Sequence, residues 1–202
     1  MLVYLIRHGQ TQYNIDGRVQ GWLDVPLNDQ GREQARRLAL RLSAEPIDMV
    51  FTSPLSRAVD TARALTAHSN LRMVVDDRLR EYNMGDWTGK TGDEIAAGSA
   101  ELGLDDPLIP IPGGESAMDM RNRVSAFVKE LAQRHSKIFS RVVVVSHGGT
   151  LGAVIGSMLA MPVLRRHPFT FGNGSITEVV WHSNGWRMQT LNDRQHMHSI
   201  VG

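Results

Sequence analysis

Two short apolar runs that stop at histidine constrain this 202-residue chain more than any other feature. Residues 2–6 (LVYLI) lead directly into Arg7-His8-Gly9, and residues 142–145 (VVVV) lead into Ser146-His147-Gly148-Gly149. Neither run alternates apolar with polar residues, so neither strand can turn one face to water. Residues 49–52 and 71–75 have the same character. Unbroken apolar strands of this kind belong to a parallel sheet covered on both faces. Helical patterns lie between them. Residues 29–44 place Ala35, Leu38 and Leu42 on one face, with Asn28 as N-cap and Pro46 beyond the end. Ser53-Pro54 reads as an N-cap with proline at the first helical position, opening residues 54–68. Ser116 and Asp119 resemble a capping box that opens a helix to about His135, and residues 150–161 read as a buried helix. Two runs, 175–181 and 186–191, flank Asn184-Gly185 as a β-hairpin.

Strands alternating with helices predict an α/β fold, a three-layer α/β/α sandwich with a mainly parallel central sheet. Residues 82–112, rich in Gly, Asp and Pro, are too long for a plain connection and predict a small inserted cap or lid. The whole chain, 1–202, is expected to be a single domain carrying that insertion. Charge narrows the partners. With 22 Lys+Arg against 21 Asp+Glu, the net charge of +1 gives no support to nucleic-acid binding. The absence of cysteine excludes disulfides, thiolate nucleophiles and cysteine-ligated metals. The longest apolar segment, residues 151–161, falls short of the ~18 residues of a membrane span. The start of the chain has no basic n-region followed by a cleavable apolar stretch. A cytoplasmic protein without a membrane partner is the expectation.

Ligands of an open parallel sheet bind beyond the carboxyl ends of its strands. Arg7 and His8 close the first strand, Ser53 and Arg57 follow the second, Glu81 follows the third, and His147 closes the fourth. Two arginines offer planar forks for phosphate oxygens. A histidine beside them suits a phosphoryl acceptor, and a carboxyl suits a proton donor to the leaving group. Each residue alone also fits an ordinary structural role; their common sheet edge argues otherwise.

These residues resemble the signature of the histidine phosphatase superfamily, the phosphoglycerate mutase-like family. Arg7-His8-Gly9-Gln10-Thr11 with Asn14, Ser53-Pro54-Leu55-Ser56-Arg57-Ala58 with Thr61-Ala62, Leu79-Arg80-Glu81 with Gly85-Asp86-Trp87, Gly113-Gly114-Glu115-Ser116, and Ser146-His147-Gly148-Gly149 occur in the family's order. The resemblance implies a phosphohistidine on His8, with Glu81 as general acid and then general base. Arg7, Arg57 and His147 would hold the phosphoryl oxygens. Asn14, Gln20, Gly21, Trp22, Tyr82, Gly148 and Asn173 would bind substrate. No metal and no cofactor are implied; His196-Met197-His198 reads as plain, solvent-exposed tail rather than a metal site.

Within the family, the phosphatase branch fits better than a phosphoglycerate mutase. A mutase holds a second phosphate, yet residues 82–120 carry one basic side chain, Lys90, against eight acidic ones. A non-catalytic phosphometabolite-binding protein would have lost one of the five central residues, and all five are intact. The expected partner is a small phosphate monoester. Apolar residues of the lid, Trp87, Leu102, Leu104, Leu108, Ile109 and Ile111, either pack it down or, with Trp22, Tyr82 and Met84, wall the leaving group. The C-terminal hairpin and exposed helix faces offer surfaces for a homodimer.

Overall fold

The computed structural model describes residues 1–67, 71–101, 106–133 and 138–197. Among them are six strands: β1 (Leu2–Arg7), β2 (Met49–Thr52), β3 (Met73–Val75), β4 (Arg141–Ser146), β5 (Ile176–His182) and β6 (Gly185–Asp193). They form one sheet in the order β3-β2-β4-β1-β5-β6. The first four strands of that order run parallel, and β5 and β6 join antiparallel beside β1. The fold is therefore mixed α/β with a mainly parallel sheet, as the unbroken apolar runs require.

Both faces of β1, β2 and β4 are buried, with alternate residues serving opposite layers, whereas the edge strands β3 and β6 are only partly covered. Val3, Leu5, Phe51, Val142 and Val144 pack with Val124, Phe127 and Leu131 of α5 (Ala117–Gln133) and with Leu151, Val154 and Ile155 of α6 (Gly148–Met158). Tyr4, Ile6, Val50, Val143 and Val145 pack on the other face with Leu38 and Leu42 of α2 (Asp29–Leu42) and Ala58 and Ala62 of α3 (Ser56–Thr66). A short helix, α1 (Gln12–Ile15), follows β1, and α4 (Gly92–Glu101) lies in the 82–112 segment. In that segment Trp87, Ile95 and Ile111 are buried in the α5–α6 cluster, so Trp87 and Ile111 pack rather than face a ligand. Leu108 and Ile109 are exposed; Leu102 and Leu104 lie outside the described residues.

Local expectations meet the structure unevenly. Asn28 caps α2 by accepting from the Gly31 amide at 2.8 Å, and the Ser116–Asp119 box closes reciprocally at 3.0 Å in both directions. Ser53 does not cap α3. The helix starts at Ser56, with Leu55 at the cap position and no side-chain cap; ahead of it the Ser53 hydroxyl accepts from the Leu55 amide at 3.3 Å and from His147 Nε2 at 2.8 Å. The α6 helix begins two residues earlier than expected, directly at the end of the β4 turn, and ends at Met158. The hairpin pairs His182 with Gly185, so its turn is Ser183-Asn184, with Gly185 at φ +124° closing it. Among the described residues, no helix is long and apolar enough to cross a membrane.

Candidate active site

Strand register builds the site. Arg7 of β1 lies opposite Ser146 of β4, and Thr52 of β2 lies opposite Val145. The residues that follow, His8, His147 and Ser53, therefore leave the sheet at one level. All three are buried, and the two histidine rings stand 5.1 Å apart.

His8 donates from Nδ1 to the Gly9 carbonyl at 2.6 Å. A carbonyl only accepts, so in the neutral ring Nε2 carries the lone pair. Burial, followed by the Arg7 and Arg57 charges, holds the His8 pKa well below the usual histidine value. Neutrality is thus built in first by burial and then by the same arginines that would hold a phosphate.

Arg57 is almost fully buried in the first turn of α3. Its Nε donates to His147 Nδ1 at 3.2 Å, while Nη1 and Nη2 donate to the Leu23 and Gly21 carbonyls at 2.8 Å each. Burial lowers its pKa to about 10, leaving it charged at neutral pH. Because arginine can only donate, His147 accepts at Nδ1 and donates from Nε2 to the Ser53 hydroxyl at 2.8 Å. Burial and the neighbouring Arg57 keep His147 neutral as well. Arg7 donates from Nη1 to the Phe171 carbonyl at 2.5 Å. Its Nε is buried with no partner among the described residues, an N–H whose desolvation is offset only when an acceptor arrives.

Glu81 leaves the 3-10 turn Asp77–Leu79 and faces the start of α6. Its carboxylate accepts from the amides of Tyr82 at 2.9 Å, Thr150 at 3.1 Å and Gly149 at 3.3 Å, and from the Thr150 hydroxyl at 3.2 Å. The first turn of a helix has amides without intrahelical acceptors, so a carboxylate is well placed there. Arg123 of α5 fixes the backbone beneath, donating to the carbonyls of Arg78 (2.7 Å), Arg80 (2.8 Å) and Glu81 (3.0 Å). Trp22 Nε1 donates to the Glu81 carbonyl at 2.6 Å, and its ring lies 5.0 Å beneath the Arg80 guanidinium.

These groups open into a cleft of about 270 Å³ walled by Arg7, His8, Asn14, Gln20, Gly21, Arg57, Glu81, Tyr82 and Gly149, together with Arg18, Val19 and Met84. Of the residues singled out in the sequence, Trp22, His147, Gly148 and Asn173 are not among those that line it. Asn173 Nδ2 donates to the His8 carbonyl at 3.1 Å and to Asn14 Oδ1 at 3.0 Å, so it braces the loop that carries His8. Gln20 is buried, accepting from the Thr11 hydroxyl at 3.0 Å. The Tyr82 hydroxyl accepts from Arg165 at 2.8 Å, and burial pushes its pKa up to about 12. His196 corrects the reading of a solvent-exposed tail: it is half-buried and bonded to the Gly174 carbonyl at 3.0 Å. His198 lies outside the described residues. Sequence reasoning missed Arg18, Arg123 and Thr150 as parts of the site. Thr150, directly after Ser146-His147-Gly148-Gly149, was the one with a usable signal.

Comparison with known proteins identifies the family. The chain is 40% identical over 167 residues to a glucosyl-3-phosphoglycerate phosphatase of Mycolicibacterium vanbaalenii, covering 79% of this chain and 74% of that one. It is 32% identical over 210 residues to a Proteus mirabilis protein named probable phosphoglycerate mutase GpmB, covering 98% and 96%. The crystal structure of the alpha-ribazole phosphatase from Shigella flexneri superposes with a TM-score of 0.85 at 29% identity, covering 96% of each chain. The model of the histidine phosphatase superfamily (branch 1) matches residues 3–194, and the chain belongs to that family.

Proposed function

We propose that this protein is a metal-independent phosphoric monoester hydrolase acting on small organic phosphates through a phosphohistidine at His8. One observation carries the reading: the Nδ1–H bond to Gly9 leaves the His8 lone pair on Nε2, in a cleft also walled by Arg7, Arg57 and Glu81. In the first step Nε2 attacks phosphorus, the ester P–O bond breaks, and Glu81 delivers its proton to the departing oxygen. In the second step Glu81 takes a proton from water, which attacks phosphorus, breaks the P–N bond and frees His8 and phosphate. The unpartnered Arg7 Nε and the second N–H on each terminal nitrogen of Arg57 receive the phosphoryl oxygens as charge builds. His147 acts through Arg57, since both its ring nitrogens are already taken. Asn14, Gln20, Gly21 and Tyr82 border the leaving group, with Met84 as its apolar contact. A cleft of this size favours small metabolites over bulky ones.

A phosphoglycerate mutase is the second reading, favoured by the likeness to the Proteus mirabilis protein. The scarcity of basic residues in 82–120 weighs against it; of the cations reaching that segment from elsewhere, Arg123 is paired with Glu115, and Arg18 is the one that lines the cleft. Turnover of p-nitrophenyl phosphate that survives EDTA and disappears in His8→Ala is the expected result. Interconversion of 2- and 3-phosphoglycerate, stimulated by the bisphosphate, would establish the mutase instead. No turnover of any phosphomonoester would leave a binding protein.

A further inference from the structure

Residues 161–171 connect α6 to the loop before β5, and no catalytic role attaches to them so far. Besides Arg165, which donates to the Tyr82 hydroxyl, and Phe171, whose carbonyl accepts from Arg7, His167 of this segment reaches the backbone beside the site. Its Nε2 donates to the Gly148 carbonyl at 3.0 Å, the first residue of α6, and its Nδ1 accepts from the Phe169 amide at 3.3 Å. The acceptor on one side and donor on the other fix a single neutral tautomer. The ring lies flat against α6 where a Cβ at residue 152 would overlap it, so Gly152 is the residue that admits it. It also stacks on Phe169 at 6.0 Å and meets Phe171 edge-on at 5.7 Å.

The two bonds reach different halves of the site. Gly148 is followed by Gly149 and Thr150, whose amides hold the Glu81 carboxylate. Phe169 is followed two residues later by Phe171, whose carbonyl holds the Arg7 guanidinium. We propose that His167 is a positioning residue that ties the anchor of Glu81 to the anchor of Arg7, setting the distance between the proton donor and the phosphate-binding arginine. The inference rests on the phosphatase reading and assigns a role to a side chain outside the cleft wall.

Its two bonds can be cut separately. His167→Gln keeps an amide nitrogen near the Nε2 position and loses the acceptor for Phe169. His167→Asn keeps an acceptor near the Nδ1 position and loses the donor to Gly148. Two readouts are measured on the full chain: the Ki of inorganic phosphate, which follows Arg7, and the ratio of kcat for glycerol phosphate to kcat for p-nitrophenyl phosphate, which follows Glu81. The Gln variant is expected to raise the phosphate Ki at least fivefold with the ratio within twofold of the unaltered protein. The Asn variant is expected to lower the ratio at least fivefold with the Ki within twofold. A purely structural histidine would lower Tm without separating these readouts. Equal effects of the two variants on both readouts, or no effect, overturn the proposal while leaving the phosphatase reading intact. Absence of turnover in the unaltered protein removes both together. Should one variant fail to fold, the other still decides, because each has its own required pattern.

Discussion

Gly149→Ala tests whether Glu81 is held where a proton donor must be. A Cβ at 149 would stand 2.7 Å from Glu81 Oε1 and 3.5 Å from its Cδ, with Tyr82 Cβ at a comfortable 3.7 Å. Ordinary van der Waals contact begins near 3.4 Å, so the carboxylate must retreat by about 0.7 Å. A misplacement of about 1 Å in a reacting group costs on the order of 10²-fold in rate. A retreat of this size is therefore expected to cost roughly 30-fold, or about 2 kcal/mol of transition-state stabilisation. The loss should fall on glycerol phosphate, whose alkoxide needs the proton, and largely spare p-nitrophenyl phosphate, whose leaving group does not. Stability offers an internal control, because alanine in place of glycine in a helix is favourable by up to about 1 kcal/mol. The assay is steady-state kinetics on both esters, with thermal unfolding alongside. Equal losses on the two esters, or full activity on glycerol phosphate, would refute the placement of Glu81 as the acid.

Two further outcomes follow from the buried histidines and their partners. His8 and His147 are held below the usual value near 6.5, so below that pH the unfolded chain binds protons that the folded chain refuses. Stability should then fall with decreasing pH, by up to about 1.4 kcal/mol per pH unit for each, from about pH 6.5 down to the depressed folded values. Histidine Cε1 resonances followed by NMR at pH 6 should show both rings neutral; titration of either near 6.5 contradicts the burial argument. Ser53→Ala removes the acceptor of His147 Nε2–H and leaves a buried donor unpaired. The expected cost is about 1–3 kcal/mol in denaturant unfolding, with weakened phosphate binding through Arg57; a neutral effect would show that the hydroxyl does not orient His147.

Much of the architecture was legible in the sequence because it rests on local rules. Apolar runs without alternation marked β1, β2 and β4 as buried on both faces but overstated β3, an edge strand with Val75 exposed, and Asn28 and Ser116 marked helix starts through bonds spanning three residues. The expectation at Ser53 failed for an instructive reason. Its hydroxyl accepts both from the Leu55 amide nearby and from a histidine 94 residues away, and the helix begins only after that turn, at Ser56. The charge reading of the expected lid was incomplete for a related reason. Residues 82–120 are acidic along the chain, but Arg123 pairs with Glu115 at 2.7 Å, Arg165 reaches Tyr82, and Arg18 donates to the Gly89 carbonyl at 2.8 Å. Cations that the segment lacks arrive from other parts of the chain.

The sequence by itself determined the strand and helix periods, the absence of thiol chemistry, and the five polar residues at strand ends. Tertiary structure alone decided how those residues meet. Parallel register between β1 and β4 put the two histidine rings 5.1 Å apart, and the start of α6 met Glu81 from 68 and 69 residues away. It also chose the supporting groups, Arg123 beneath Glu81 and Phe171 behind Arg7. The physical reason is range: hydrophobic period and capping act within a few residues, whereas the partner of a buried polar group is set by packing between distant segments.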